Sequence, residues 1–179
     1  MSAFALRLMQ AGDADAVAAL HAASWRGAYR GIFRDQFLDH DAAQERRQAW
    51  RDRLQHAPAK DFGLIAEDAS GRIAGFAYAM PDHDNDWGHY VDNLHVTPDL
   101  KGAGLGRQLL RAVVERMPAT SQRPLFLWVF DANEPAKRFY AKLGAEFAEQ
   151  RLDESFGAER HLAWRCVWRR PATLLESDD

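Results

Sequence analysis

Three glycines stand at alternate positions in front of a leucine-rich segment: Gly102, Gly104 and Gly106. Residues 89–96 before them are a predicted strand, and residues 105–117 carry apolar side chains at helical spacing. A helix that begins behind a glycine turn presents unpaired N–H groups and the positive end of its dipole. Glycines also let an anion approach the backbone closely. The segment is therefore predicted to bind a phosphate or pyrophosphate group.

Two common phosphate-binding motifs do not match this segment. A P-loop requires a Gly-Lys-Ser/Thr end, and no such Lys-Ser/Thr pair follows the glycines. The dinucleotide fingerprint Gly-x-Gly-x-x-Gly needs one more residue between its last two glycines, and it belongs to a repeated βαβ pattern that this chain lacks. The glycines therefore predict a pyrophosphate-binding turn of another type.

Residues 96–110, VTPDLKGAGLGRQLL, resemble the acyl-CoA-binding motif of the Gcn5-related N-acetyltransferase (GNAT) superfamily. That motif reads Gln/Arg-x-x-Gly-x-Gly/Ala after a strand that ends in Val-x-Pro. Gly104 and Gly106 stand at its two glycine positions, and Lys101 stands at the Gln/Arg position. The lysine is a departure that changes the side-chain contact with phosphate and leaves the backbone amide in place.

A second motif supports the resemblance. Residues 127–145 are similar to the family's segment of strand, Asn and a helix with Ala-x-x-Phe-Tyr-x-x-x-Gly-Phe. The matching residues are Asn133, Ala136, Phe139, Tyr140 and Gly144, whereas Ala145 stands where an aromatic residue is common. Residues 24–32, SWRGAYRGI, also resemble the first helix and turn of many bacterial members.

The resemblance implies acetyl-CoA as co-substrate, no metal, and direct attack of a primary amine on the thioester. It implies Tyr140 as general acid, since a phenol with a pKa near 10 stays protonated at neutral pH. The alternative is that Tyr140 is a core residue of an apolar helical stripe. Asn133 is either a cofactor contact or the N-cap of that helix. The implied cofactor-binding residues are Leu94, His95, Val96, Lys101, Gly102, Ala103, Gly104, Leu105, Gly106, Arg107, Asn133, Lys137 and Tyr140.

Candidates for the general base are few. Asp92 is the first choice and His89 the second, although both could be ordinary polar residues of a strand and a water chain could replace them. The acceptor pocket is expected between the first two helices and a polar loop over residues 82–88, whose three acids could attract a cationic amine or simply be solvated. The predicted substrate-binding residues are Trp25, Tyr29 and Asp92, with core packing as the alternative for the two aromatic residues.

Composition limits the class of protein. The formal net charge of −3 gives no reason to expect binding to nucleic acid or to an anionic membrane. The single cysteine, Cys166, excludes an internal disulfide and fits a reducing compartment, so a cytoplasmic location is expected. No apolar window reaches the length of a membrane span, and the histidines lack metal-ligand spacing.

The order of predicted strands and helices that position these residues indicates an α/β (α+β) fold. We expect a GNAT-like mixed, mostly antiparallel central sheet of about six to seven strands flanked by about four helices. Residues 1–170 are expected to form a single domain, and 171–179 a frayed tail. Residues 145–169 are predicted to form two strands around a turn at Gly157, and these strands are candidates for pairing in a homodimer.

The predicted function is N-acetyl transfer to a primary amine, with a small molecule favoured because no peptide-docking extension is evident. Two alternatives stay open: a non-catalytic acyl-CoA-binding or regulatory domain, and a protein or peptide N-acetyltransferase. The sequence does not choose the acceptor amine, the general base, the oligomeric state or an acyl group other than acetyl.

Overall fold

Seven strands form one mixed sheet in a computed structural model that describes residues 4–118, 122–154 and 160–176. Along the sheet the order is β1-β2-β3-β4-β5-β7-β6, and all neighbours are antiparallel except β4 and β5. The strands are β1 (Ala5–Leu8), β2 (Phe62–Glu67), β3 (Ile73–Asp84), β4 (Gly88–Val96), β5 (Leu125–Phe130), β6 (Glu146–Asp153) and β7 (His161–Trp168).

Helices cover both faces of the sheet because neighbouring strand residues point to opposite sides. Ile65 of β2 packs with one pair of helices, whereas Leu64 beside it packs on the other side. The first pair is α1 (Ala14–Ala28) and α2 (Ala42–His56), and the second is α3 (Leu105–Arg116) and α4 (Glu134–Lys142). The described residues thus confirm the predicted fold class, a mostly antiparallel sheet with four α-helices.

Helix α3 is the best-anchored helix of the second face. Leu105, Leu109, Leu110 and Val113 are each no more than 1% exposed. Burying a side chain of this size contributes roughly 1.5–3 kcal/mol. The helix therefore holds the glycine turn at its N-terminus in a defined position against β4.

The parallel pair β4 and β5 separates along its length. Pairing between them is confined, within the described ranges, to His89 with Leu125 and Tyr90 with Phe126. Beyond Tyr90 the two strands no longer pair, and a register shift follows where β4 pairs with β3. The later part of β4 therefore has one edge that β5 does not cover.

Two expectations about element boundaries are corrected. Residues 82–88 are mostly strand, because β3 continues to Asp84 and β4 begins at Gly88. The segment 171–176 is not frayed: Pro171–Leu175 forms a 3-10 helix, Leu174 is 3% exposed, and Arg111 donates to the Leu175 carbonyl at 2.9 Å. A buried leucine docks the segment on α3.

The strand pair predicted for 145–169 is present as β6 and β7, whereas the turn at Gly157 lies outside the described residues. None of the described helices has the length and apolar character needed to cross a membrane.

Candidate active site

The glycine turn between β4 and α3 uses two left-handed residues. Gly102 and Gly104 have φ angles of +85° and +80°, which residues with a Cβ rarely adopt. Gly104 is the residue preceding α3, and no side chain caps the helix there. The first N–H groups of α3 consequently have no partner within the helix. The amides of Lys101 and Ala103 instead donate to carbonyls inside the turn, at 3.5 and 3.2 Å.

Space in front of the turn also suits an anion. A Cβ built on Gly102 or Gly104 would meet no atom within 4 Å, so this side of the backbone is open. Gly106 differs, since a Cβ there would lie 3.1 Å from Cζ of Phe139. Gly106 therefore allows close packing between α3 and α4, and the open positions are Gly102 and Gly104.

The uncovered edge of β4 carries specific backbone groups. The amide of Thr97 donates to the Ala74 carbonyl on β3 at 2.9 Å. Successive residues of a strand direct their N–H and C=O groups to opposite edges. His95 therefore faces β3 in the same way as Thr97, whereas Leu94 and Val96 direct their backbone groups to the edge that β5 leaves uncovered. An extended ligand can pair with such an edge.

Tyr140 lies on α4 and is 8% exposed. Its ring packs edge-on against Trp168, with centroids 6.0 Å apart. Burial raises the pKa of Tyr140, and the neighbouring Tyr29 and Cys166 raise it further. The hydroxyl is therefore protonated at neutral pH and close to Tyr29.

Two predicted cofactor contacts on α4 have local partners. Asn133 is the N-cap, since its side-chain oxygen accepts from the Ala136 amide at 3.3 Å. Lys137 pairs with Asp131 at 2.9 Å and with Glu134 at 2.7 Å, and these bonds raise its pKa. Both side chains stabilise the start of the helix.

A cavity of about 300 Å³ opens on the face covered by α1 and α2. Aromatic rings from four elements form much of its wall, and charged or polar groups form the rest. Its aromatic lining residues are Trp25, Tyr29, Trp50, Tyr90, Trp128 and Phe130. Its charged lining residues are Arg46, Arg53, Asp92, Arg151 and Asp153. The volume is at the small end of the range for ligand pockets.

Asp92 lines this cavity and is held on two sides. Arg53 of α2 donates Nη1 to its Oδ2, and Asn93 donates Nδ2 to the same oxygen at 2.7 Å. The guanidinium of Arg53 stacks over Trp50 and Tyr78, with centroids at 5.1 and 4.8 Å. Asp92 is therefore a fixed carboxylate on the cavity wall.

Two neutral imidazoles lie beside Asp92. The rings of His21 and His95 are 4.2 Å apart, and burial lowers the pKa of His95 to about 3 and that of His21 well below its usual value. The Trp50 indole donates to Nδ1 of His21 at 2.9 Å. Because an indole can only donate, the proton of neutral His21 is on Nε2. His95 Nδ1 lies 3.0 Å from the Ser24 hydroxyl.

A family model described as the acetyltransferase (GNAT) family matches residues 21–145, which is most of the chain. The chain belongs to the acetyltransferase (GNAT) family. The resemblance inferred from the two motifs is thereby confirmed, and the matched range contains the glycine turn, the uncovered edge of β4 and Tyr140.

Curated relatives and solved structures agree with this family. The chain is 33% identical to a mycothiol acetyltransferase of Actinosynnema mirum over 78% of its own length and 43% of the relative. It is 30% identical to the L-methionine sulfoximine/L-methionine sulfone acetyltransferase of Pseudomonas aeruginosa over 62% of its length and 66% of the relative. The chain thus spans less than half of the mycothiol acetyltransferase that it matches.

Among solved structures, a GCN5-related N-acetyltransferase of Rhodopseudomonas palustris superposes with a TM-score of 0.73 at 25% identity, covering 93% of this chain and 96% of that one. The PaiA N-acetyltransferase of Thermoplasma acidophilum, solved in complex with coenzyme A, has a TM-score of 0.70 at 16% identity over 92% and 98% of the two chains. These likenesses support the GNAT fold.

In this GNAT domain the three residues predicted to bind the acceptor lie together, whereas the second candidate for the general base, His89, lies elsewhere. Trp25, Tyr29 and Asp92 line one cavity, and burial raises the pKa of Tyr29 to about 12. His89 is not among the lining residues; its side chain is 1% exposed, and its Nδ1 accepts from the Asp82 amide at 3.0 Å. The geometry therefore favours Asp92 over His89.

Residues 82–88 do not line the cavity either, contrary to the expectation for the acceptor pocket. Asp82 pairs with Arg123 at 3.1 Å, and the Asp84 carboxylate accepts from the amides of Asp86 and Trp87 at 2.9 Å. These acids stabilise the hairpin between β3 and β4. The opposite wall of the cavity is instead supplied by β5 and β6.

Sequence reasoning found Asp92 and missed the other four charged residues of the cavity. Arg46, Trp50 and Arg53 stand at spacings of four and three on α2, which places them on one face of a helix. Arg151 and Asp153 alternate on β6 and share a face of the sheet. Both spacings are visible in the sequence, but no feature of either segment indicates that the face of α2 and the face of β6 meet at one cavity.

Proposed function

We propose that this GNAT domain transfers an acetyl group from acetyl-CoA to the primary amine of a small molecule. The observation that carries the proposal is the uncovered edge of β4, the strand that lines the acceptor cavity and is followed by the glycine turn. Family membership supports the reaction class, and the names of the curated relatives, mycothiol and L-methionine sulfoximine acetyltransferases, support a small acceptor.

The residues present fit the cofactor. Open space in front of Gly102 and Gly104, together with the first N–H groups of α3, whose carbonyl partners within the helix are missing, suits a pyrophosphate. The backbone groups of Leu94 and Val96 would hold the amide-containing arm by strand-like hydrogen bonds. When bound, acetyl-CoA supplies an acetyl group activated as a thioester.

Tyr140 is the general acid, which protonates the leaving thiolate. Its raised pKa keeps the proton on Oη at neutral pH, and from there the proton passes to the departing thiolate. Because CoA is a thiol, its thiolate accepts a proton readily near neutral pH. The buried position of Tyr140 also excludes water from the leaving group.

Asp92 acts on the acceptor side. Its fixed carboxylate binds the ammonium form of the acceptor and takes up a proton, directly or through water, as the amine becomes nucleophilic. The cavity of about 300 Å³ limits the acceptor to a small molecule.

The function is tested by thiol release from acetyl-CoA with a panel of amines, followed by mass spectrometry of the product. In the variant Tyr140→Phe we expect kcat to fall about 100- to 1,000-fold, because the phenol proton is lost. The dissociation constant for CoA, measured by isothermal titration, should stay within about threefold, since the glycine turn is intact.

The alternatives give other results. A non-catalytic acyl-CoA-binding domain would bind CoA, release no thiol with any amine and lose nothing in Tyr140→Phe. A peptide N-acetyltransferase would turn over peptide N-termini and reject small amines. Failure of the wild-type chain to bind acetyl-CoA at millimolar concentration would contradict the proposal altogether.

A further inference from the structure

The charges of the acceptor cavity are unusual for a site that receives a cation. Three guanidinium groups, those of Arg46, Arg53 and Arg151, line the cavity together with two carboxylates, those of Asp92 and Asp153. Each guanidinium has a carboxylate partner, since Arg53 pairs with Asp92, Arg151 with Asp153, and Arg46 with Glu45 behind the lining. Burial keeps His21 and His95 neutral, so they add no charge. A cavity that received a polyamine would need an excess of carboxylates, because like charges repel most strongly where water is excluded. The lining has no such excess, and its guanidinium groups suit an acceptor that carries an anionic group of its own.

Arg53 is the guanidinium best placed to bind that group. It uses Nη1 on Asp92, and among the described residues no side chain bonds to its Nε and Nη2. Its position is set by stacking over Trp50 and Tyr78, which are each 2% exposed. A guanidinium held in place presents a planar pair of donors that matches a carboxylate.

Asn93 supplies an independent sign of a polar ligand. It lines the cavity and is 8% exposed, and within the described part of the chain its Oδ1 has no hydrogen-bond partner. The other end of its amide donates to Asp92 at 2.7 Å, which identifies Oδ1 as the atom left over. A buried carbonyl oxygen without a donor costs roughly 1–3 kcal/mol, and an N–H of a bound amine would remove that cost.

These groups match one chemical class. Asp92 and the Asn93 oxygen accept from an amine, and Arg53, bonded to Asp92, donates to an anion directly beside it. An α-amino acid carries its ammonium and carboxylate on one carbon atom, so the two groups are also close neighbours. The rings of Tyr90 and Trp128 also line the cavity, and the guanidinium of Arg151 lies 4.1 Å from the centroid of Trp128.

We propose that the acceptor is a small α-amino acid, whose amine is bound by Asp92 and Asn93 and whose carboxylate is bound by Arg53. The inference rests on the proposed N-acetyl transfer and narrows its substrate class. The L-methionine sulfoximine/L-methionine sulfone acetyltransferase that is 30% identical to this chain also acts, by its name, on amino acids.

The test compares acceptors that differ in the carboxylate alone. L-Methionine sulfone, its carboxamide and its decarboxylated analogue 3-(methylsulfonyl)propylamine are assayed with saturating acetyl-CoA, beside the standard L-α-amino acids and spermidine. We expect kcat/KM for the preferred amino acid to exceed that of its amide and its amine by roughly 10- to 100-fold, the size expected for a charge-assisted pair. Equal or faster turnover of the amines, or of spermidine, overturns the inference.

Variants of Arg53 test whether this residue causes the preference for acceptors that carry a carboxylate. Arg53→Met should lower kcat/KM for the amino acid roughly 10- to 100-fold and that for the decarboxylated amine by less than about threefold. Arg53→Lys should restore part of the difference, because it keeps the charge and loses the fork. Arg47→Met, on the exposed side of α2, is the matched control and should leave both substrates unchanged. An equal loss for both substrates in Arg53→Met would show that Arg53 only positions Asp92, and would contradict the proposal.

Binding separates this inference from the proposed function. Isothermal titration of the amino acid into the protein, with CoA present in place of acetyl-CoA, measures binding of the amino acid without turnover. Turnover of simple amines without amino-acid binding overturns the inference and leaves acetyl transfer standing. Amino-acid binding without thiol release from any acceptor overturns acetyl transfer and leaves recognition standing. Absence of both results overturns both.

Discussion

The glycine turn and the acceptor cavity lie at the two ends of the uncovered edge of β4, and they are built differently. The turn is a continuous piece of chain, in which glycines set the geometry and backbone groups are proposed to bind the cofactor. The cavity is lined by side chains from α1, α2, β4, β5 and β6. A binding site made of backbone depends on local conformation, whereas one made of side chains depends on how distant elements pack.

This difference explains why the cofactor was easier to infer than the acceptor. Gly102 and Gly104 need positive φ angles, which few residues other than glycine adopt, so the requirement is visible in the sequence. Arg53 and Asp92 are 39 positions apart and meet only when α2, packed against α1, lies on the same face of the sheet as the Asp92 side chain. The following predictions test whether the two regions are as different as the structure indicates.

The largest expected effect is a pH dependence of the free energy of unfolding, caused by the two buried histidines of the cavity. Burial lowers the pKa of His95 to about 3 and that of His21 well below 6.5, whereas both histidines titrate near 6.5 in the unfolded chain. Between these values the unfolded chain binds protons that the folded chain does not. The free energy of unfolding should therefore be highest above about pH 6.5 and fall as the pH decreases, by about 1.4 kcal/mol per pH unit for each histidine.

Urea unfolding at pH 7.5, 6.5 and 5.5 measures this slope. The double variant His21→Asn/His95→Gln keeps hydrogen-bonding groups and removes both titrations, so its stability should depend less on pH over the same interval. An unchanged slope in the double variant would mean that the buried imidazoles do not cause it.

The next effect concerns the glycine turn. Gly104→Ala forces a Cβ into a left-handed conformation, which costs about 1–2 kcal/mol of stability. It also places a methyl group where the structure is open and a phosphate is expected, so CoA should bind about tenfold more weakly, or about 1.4 kcal/mol. Isothermal titration with CoA gives this constant.

Gly71→Ala is the matched control. Gly71 has a φ of +81°, and a Cβ there would also meet no atom within 4 Å, but it lies in the turn between β2 and β3. It should lose similar stability and keep its affinity for CoA. Equal affinities in the two variants would remove the glycine turn from the cofactor site.

The smallest effect distinguishes the two interpretations of Asn133. Asn133→Ala removes the oxygen that accepts from the Ala136 amide and should cost about 1 kcal/mol of stability. Asn133→Ser retains a capping oxygen and should recover most of that stability. CoA affinity should be unchanged in both, and a loss of affinity in Asn133→Ser would show that the amide touches the cofactor.

Several features could be predicted from the sequence because the pattern that specifies them is short. The order of strands and helices follows from apolar periodicity, and the N-cap Asn133 follows from its position before Glu134-Pro135. Other features could not. The end of β3 at Asp84 depends on pairing with Gly88 across a tight hairpin, which overrides the polar composition of residues 82–86.

The docked segment 171–176 shows the same limit. Its composition predicts a frayed end, but Leu174 finds a place against α3 only once α3 is folded on the sheet. Burial of this leucine contributes roughly 1.5–3 kcal/mol, and the bond from Arg111 to the Leu175 carbonyl adds to it.

Local pattern was sufficient for the glycine turn and for the position of Tyr140 on α4, because each is encoded within about twenty consecutive residues. The family and the fold class followed from several such segments and from their order along the chain. The tertiary structure decided which charges share the acceptor cavity, which carboxylate is fixed there and which histidines are neutral. Those properties depend on burial and on contacts between residues far apart in the chain. The sequence determines which side chains are present, but the environment of each side chain forms only when the sheet and helices pack.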